Sequence, residues 1–119
     1  MSKVNEDALA SFSKRGGEGP VVMLNLLKFG DGGAARYMEY GTAVAPLLAK
    51  VGGRVRFQGV AAELVIGDEA WDLVLLVEYP SRAAFLAMVS SPDYQAIVHL
   101  REEALERSVL YATDPLAML

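Results

Sequence analysis

One amide interrupts an otherwise apolar run. In VVMLNLLKF, Val21 to Phe29, Asn25 stands among aliphatic side chains. Buried polar groups nearly always find partners, and leaving one unpaired costs about 1–3 kcal/mol. Something polar therefore meets Asn25, either a neighbouring protein group, water or a ligand. Tyr37 and Tyr40 lie three residues apart on one helical face, and Tyr94 opens a later helix. Singly, each such tyrosine packs its ring and satisfies one hydroxyl. Gathered near Asn25, the three would line a pocket. Arg101 lies on an apolar stripe formed by Tyr94, Ile97, Val98 and Leu105. An arginine there either carries its head to the edge or pairs with a carboxylate such as Glu78. Its alternative role is an anion clamp for a carboxylate or enolate.

His99 is the only histidine and aligns with Gln95, Glu102, Glu103 and Glu106. That pattern describes a solvated helical face, with a general base near neutral pH as the minority reading. Trp71 opens a strand and rims either the sheet or an interface. The candidate binding residues are thus Asn25, Tyr37, Tyr40, Trp71, Tyr94 and Arg101, and the candidate catalytic residues are Asn25, Arg101 and His99. A single histidine cannot build a multi-histidine metal site, no ligand spacing is recognisable, and no metal or cofactor is expected. The absence of cysteine excludes disulfides, thiolate zinc sites, iron–sulfur ligation and a cysteine nucleophile. GDGG, at 30–33, lacks the lysine of a phosphate loop and reads as a turn. No nucleophile-elbow or Ser-His-Asp signature supports hydrolysis.

The net charge of −4 repels nucleic acid and anionic membranes, and no basic cluster overrides it. No segment approaches the roughly 20 apolar residues of a membrane span, and the first residues do not read as a signal peptide. The expectation is a soluble cytoplasmic chain. Its 119 residues, 53% hydrophobic and 22% charged, suit one domain with a real core.

The elements that must position these residues follow from periodicity. Residues 4–16 read as a helix with Asn5 at its N-cap, stopped by Gly16-Gly17. The strand at 21–29 ends at GDGG. A helix follows to Gly52-Gly53, and Pro46 should kink or break it. RVRFQGVAAELVIG reads as a strand with Gly59 as a bulge or bend. WDLVLLVEYP is a second strongly apolar strand. Two helical pieces follow, with Ser81 as an N-cap and Pro92 in the first turn of the second. VLYATDP is the last strand.

The resulting order predicts an α+β split-βαβ, ferredoxin-like domain over 1–119, with its core at about 20–114. A four-stranded antiparallel sheet carries helices on one face, with an extra N-terminal helix. Its two central strands are apolar on both sides. Val21, Met23, Leu27 and Phe29 oppose Val22, Leu24 and Leu26, while Leu73, Leu75 and Val77 oppose Val74 and Leu76. A sheet with one wet face should alternate apolar and polar instead. The uncovered face spans roughly 300 Å², the size of a contact site. A second copy packed sheet against sheet is the simplest cover, and the N-terminal helix is the rival one. Lys28 and Glu78 sit near the ends of these neighbouring strands and are placed to pair.

Beyond these patterns, VVMLNLLKF, YMEYGTAVAPLLAKVGGRV and WDLVLLVEYPSRAAFLAMVSSPDYQAI followed by Arg101 resemble the bacterial "domain of unknown function 1330" family, over about Val21 to Thr113. The resemblance implies a dimeric α+β barrel. That superfamily includes cofactor-free monooxygenases, muconolactone-isomerase-like enzymes, haem-binding members and proteins of unknown activity. The expected function is small-molecule binding, with a cofactor-free enzyme acting on a small aromatic or enolisable compound as its active form. The alternative is a non-catalytic ligand-binding or structural homodimer.

Overall fold

A computed structural model describes residues 3–17 and 19–116, so the domain expected over 1–119 reaches beyond the described residues at both ends. The elements run α1 (Glu6–Lys14), β1 (Val21–Phe29), α2 (Gly33–Lys50), β2 (Arg54–Val60), β3 (Leu73–Tyr79), α3 (Arg82–Val89), α4 (Pro92–Gln95), α5 (Val98–Ala104) and β4 (Leu105–Thr113). The sheet order is β2-β3-β1-β4, and all its pairings are antiparallel. The two strands that are apolar on both faces therefore hold the centre, as burial requires. Ser81 caps α3 by accepting from the Ala84 amide at 3.0 Å. Ser91 accepts from Tyr94 at 3.2 Å ahead of Pro92, which has no amide hydrogen to lose at that first turn. No helix among the described residues is long and apolar enough to cross a membrane.

Strand parity decides the packing. Val21, Met23, Asn25 and Leu27 are all buried, with Leu27 at 0% exposure, and they face the helices. Met23, Val77 and Tyr79 join Tyr40, Met88 and Tyr94 in one core cluster. Burying a side chain such as Leu27 completely contributes about 1.5–3 kcal/mol. On the other face a row crosses all four strands: Phe57 opposite Leu76, Leu76 opposite Leu24, and Leu24 opposite Tyr111. Phe57 and Tyr111 are exposed, and Leu24 and Leu76 are only half-buried.

The N-terminal helix does not cover that row. Phe12 of α1 packs edge-on against Phe85 of α3 at 5.5 Å between centroids and belongs to the helix-side core. Buried Arg82 stands 5.4 Å from the Phe12 ring and pairs with Asp114 at 3.0 Å. Arg15 also donates two 2.9 Å hydrogen bonds to Asp114. Those hydrogen bonds, Arg15 first and then Arg82, hold the Asp114 carboxyl down to about 2. The C-terminal half of α1 is thereby clipped beside α3, on the covered side of the sheet.

Several local expectations are corrected. Pro46 does not break α2, which continues through it. Both Pro46 and Thr42, whose carbonyl loses its helical partner, are exposed, so water takes that bond. The bulge in β2 falls between Val55 and Phe57, not at Gly59, and the strand ends at Val60. Residues 61–70 form an exposed connection instead of more strand. The last strand begins at Leu105, four residues before Val109, because the chain leaves α5 straight into pairing with Phe29. Lys28 does not meet Glu78. It lies 3.4 Å from Asp72, while Glu78 pairs with Arg54 and Arg56 at the opposite end of the open face.

Candidate functional site

A cavity of about 710 Å³ opens between the helix side of the sheet and α2. Its floor comes from Met23 and Asn25 of β1 and Leu73, Leu75, Val77 and Tyr79 of β3. The period of two along each strand aims these residues the same way. One wall is the face of α2 that carries Tyr37, Tyr40, Gly41 and Val44, and Tyr94 and Arg101 close the site from α4 and α5. Five residues singled out by type and spacing (Asn25, Tyr37, Tyr40, Tyr94 and Arg101) thus share one space.

Asn25 is 8% exposed. Its side chain has no hydrogen-bond partner among the described residues, yet no fully enclosed polar side-chain atom is left unpaired. Its amide therefore opens into the cavity rather than onto protein. The hydroxyls of Tyr40 and Tyr94 are 2.9 Å apart, and one donates to the other. The rings of Phe29, Tyr37, Tyr40 and Tyr94 follow one another at 5.9, 5.4 and 6.3 Å between centroids. Burial pushes the Tyr40 hydroxyl well above the ordinary phenol range, and the Tyr94 hydroxyl adds to the effect. Burial raises Tyr37 and Tyr79 too, against an opposing pull from Arg101. These phenols stay protonated at any physiological pH and remain donors.

Among the described residues, Arg101 is the only formal charge lining the cavity. Its positive charge lies near the Tyr37 hydroxyl and opposes the rise that burial imposes on that phenol. Among the described residues no carboxylate lies within ion-pair distance of it. The partner envisaged for it, Glu78, faces the other side of the sheet, where the bonds from Arg54 and Arg56 hold it.

Two candidates lie elsewhere. His99 is exposed on α5 and does not line the cavity. Trp71 lies under the Arg107 guanidinium, 4.1 Å from its ring centroid, and helps pin the start of β3 to β4. Tyr79 and Gln58, by contrast, line the cavity without having been singled out. Tyr79 shares the parity of Leu73, Leu75 and Val77, so period two was the signal that would have found it. The bulge shifts β2 and brings Gln58 opposite Leu75, and no sequence pattern marks that shift.

The model of a domain of unknown function, DUF1330, matches residues 27–114. The chain belongs to the DUF1330 family. The crystal structure of a protein of unknown function from Rhodopseudomonas palustris is 36% identical to it, with a TM-score of 0.86. That alignment covers 98% of this chain and 97% of the other. A dimeric, ferredoxin-like protein of unknown function from Bacteroides fragilis is 17% identical, with a TM-score of 0.58 over 81% of this chain and 96% of that one. A DABB-family protein with a ferredoxin-like fold from Mesorhizobium loti is 15% identical, with a TM-score of 0.59 over 83% and 99%. No curated protein matches the chain. This DUF1330 domain therefore has the ferredoxin-like α+β fold, in a family to which no activity is attached.

Proposed function

We propose that the cavity binds a small, largely apolar organic anion, with an aromatic or enolisable body. The observation that carries this reading is a guanidinium in the wall of an apolar chamber without an internal carboxylate. A charge so placed is stabilised when an anion enters, and hydrogen bonds to charged groups contribute about 1.5–3 kcal/mol. The Asn25 amide and the tyrosine hydroxyls supply further polar contacts, and the rings supply flat apolar walls.

Among the described residues, the lining contains no Asp, Glu, His, Lys or Cys. No side chain there takes up a proton near neutral pH, so binding is the primary role. Catalysis, where it occurs, draws on the substrate's own reactivity. The guanidinium and the amide stabilise the charge on oxygen of a substrate that enters as its enolate or loses its α-proton to solvent water. That fits a monooxygenase- or isomerase-like reaction without a cofactor.

The protein acts, on this reading, as a homodimer joined through the open sheet faces, in the cytoplasm. The row Phe57–Leu76–Leu24–Tyr111 supports the interface, as does the dimeric description of the Bacteroides fragilis protein. The packing of Phe12 of α1 against Phe85 of α3, on the helix side of the sheet, supports it as well.

A thermal-shift screen tests the binding reading. Aromatic carboxylates and 2-oxo acids are expected to raise Tm by several degrees at saturating concentration, because a ligand at 100 times its Kd stabilises the fold by about 2.7 kcal/mol. Their neutral amides should act only at much higher concentration. A screen in which no anion shifts Tm, or neutral compounds do so equally well, refutes the reading.

A further inference from the structure

A second cavity of about 520 Å³ lies between α1 and β4. Its walls include Ala8, Leu9 and Phe12 of α1 and Leu110 and Ala112 of β4. The two cavities are not independent. Met23, Phe85, Arg101 and Leu110 line both, so Arg101 stands at the junction. The clip through Asp114 holds only the C-terminal half of α1, around Arg15 and Phe12. The preceding turn stands off β4, and Leu9 remains 44% exposed beside the groove.

We propose that the site is bipartite and takes a branched organic anion with two apolar arms. This rests on the anion-binding reading above and extends it. The carboxylate or enolate sits at the junction, on Arg101. An aryl arm enters the chamber of Asn25, Tyr37, Tyr40 and Tyr94, and an aliphatic arm lies in the groove between α1 and β4. Charge complementarity fixes the head at Arg101, and the continuity of the two spaces directs the arms to opposite sides of it. Most of the groove wall is hydrocarbon, from Ala8, Leu9, Phe12, Leu110 and Ala112, with Lys3, Asn5 and Ser108 as its polar members besides Arg101, so a mainly hydrocarbon arm fits it.

Calorimetry with 3-phenylpropanoate and its 2-butyl and 2-hexyl derivatives tests this. The parent compound probes the first chamber and the junction alone. Each added methylene that is fully buried should tighten binding by about fourfold, since a buried methylene contributes about that factor. Ala8→Trp fills the groove, and Leu9→Asp places a charge at its edge. Neither residue lines the first chamber. Each variant should keep the affinity for the parent within about twofold and lose most of the gain from the alkyl chain. If chain length leaves affinity unchanged in the wild type, or both variants keep the full gain, the second arm is refuted and the anion site stands. If 3-phenylpropanoate itself fails to bind, the anion site is refuted and the extension falls with it.

Discussion

Leu24→Asp is expected to give a folded protein that no longer self-associates. Leu24 lies at the middle of the open face, between Leu76 on β3 and Tyr111 on β4. It is absent from the helix-side core cluster, so the fold does not depend on its apolarity. In the proposed face-to-face dimer the substitution would bury one uncompensated carboxylate from each copy. Such a charge costs at least about 3 kcal/mol. With two of them the dissociation constant should rise roughly 10,000-fold, enough to turn a micromolar dimer into a monomer at any practical concentration. Sedimentation velocity reads the change directly, and circular dichroism confirms the fold. A variant that sediments as a dimer would show that the copies meet elsewhere. A wild-type monomer with its apolar row bare to water would remove the interface altogether.

Gly33→Ala should destabilise the protein more than any surface change of one methyl group. A Cβ at Gly33 would lie 2.1 Å from the Ala104 carbonyl oxygen and 3.0 Å from the Phe29 Cβ. That oxygen is not free to move, because Ala104 is fully buried and accepts a 3.0 Å hydrogen bond from the Gly30 amide. The start of α2 must back away from the junction of α5 and β4, or the hydrogen bond must break. Overpacking costs about 1–3 kcal/mol or more, and the lost bond adds about 1 kcal/mol. A loss of roughly 3–4 kcal/mol is a large share of the stability of one domain, about 5–15 kcal/mol. Gly41→Ala, on the same helix, is the matched control. Its Cβ would meet nothing within 4 Å, so it should stabilise by about 0.5–1 kcal/mol through helix propensity. Urea unfolding of the two variants checks the pair. Equal stability for both would contradict the close approach of α2 to the α5–β4 junction.

The architecture was legible because the strand period is short and strict. Val22, Leu24 and Leu26 could only face away from Met23 and Leu27, and both sets are apolar. The same double apolarity hid which face the helices cover. It therefore hid whether Asn25 points to the cavity or to the open side. Once β1 is seen to turn Asn25 toward Tyr40 and Tyr94, Arg101 and Glu78 are also separated onto opposite faces. Their pairing was attractive only while that face was unknown. The start of β4 was obscured by ALERS, whose residues favour helix. Pairing with Phe29 overrides that local preference at Leu105. The bulge at Arg56 carries no glycine or proline to announce it, so the pattern gives no sign that Gln58 reaches the cavity. Arg101 was visible as a charge on an apolar stripe, but its lack of an acid among the described residues is a property of three-dimensional packing alone.

The charge of Arg101 decides whether the cavity selects an anion, and one calorimetric comparison tests it. 3-Phenylpropanoate and 3-phenylpropanamide differ in charge but hardly in shape. The wild type should prefer the carboxylate by about 10- to 100-fold, the effect of one hydrogen bond to a charged group. Arg101→Gln should abolish that preference while leaving the amide's affinity nearly unchanged. Equal affinities in the wild type, or a carboxylate preference that survives in Arg101→Gln, would contradict the account.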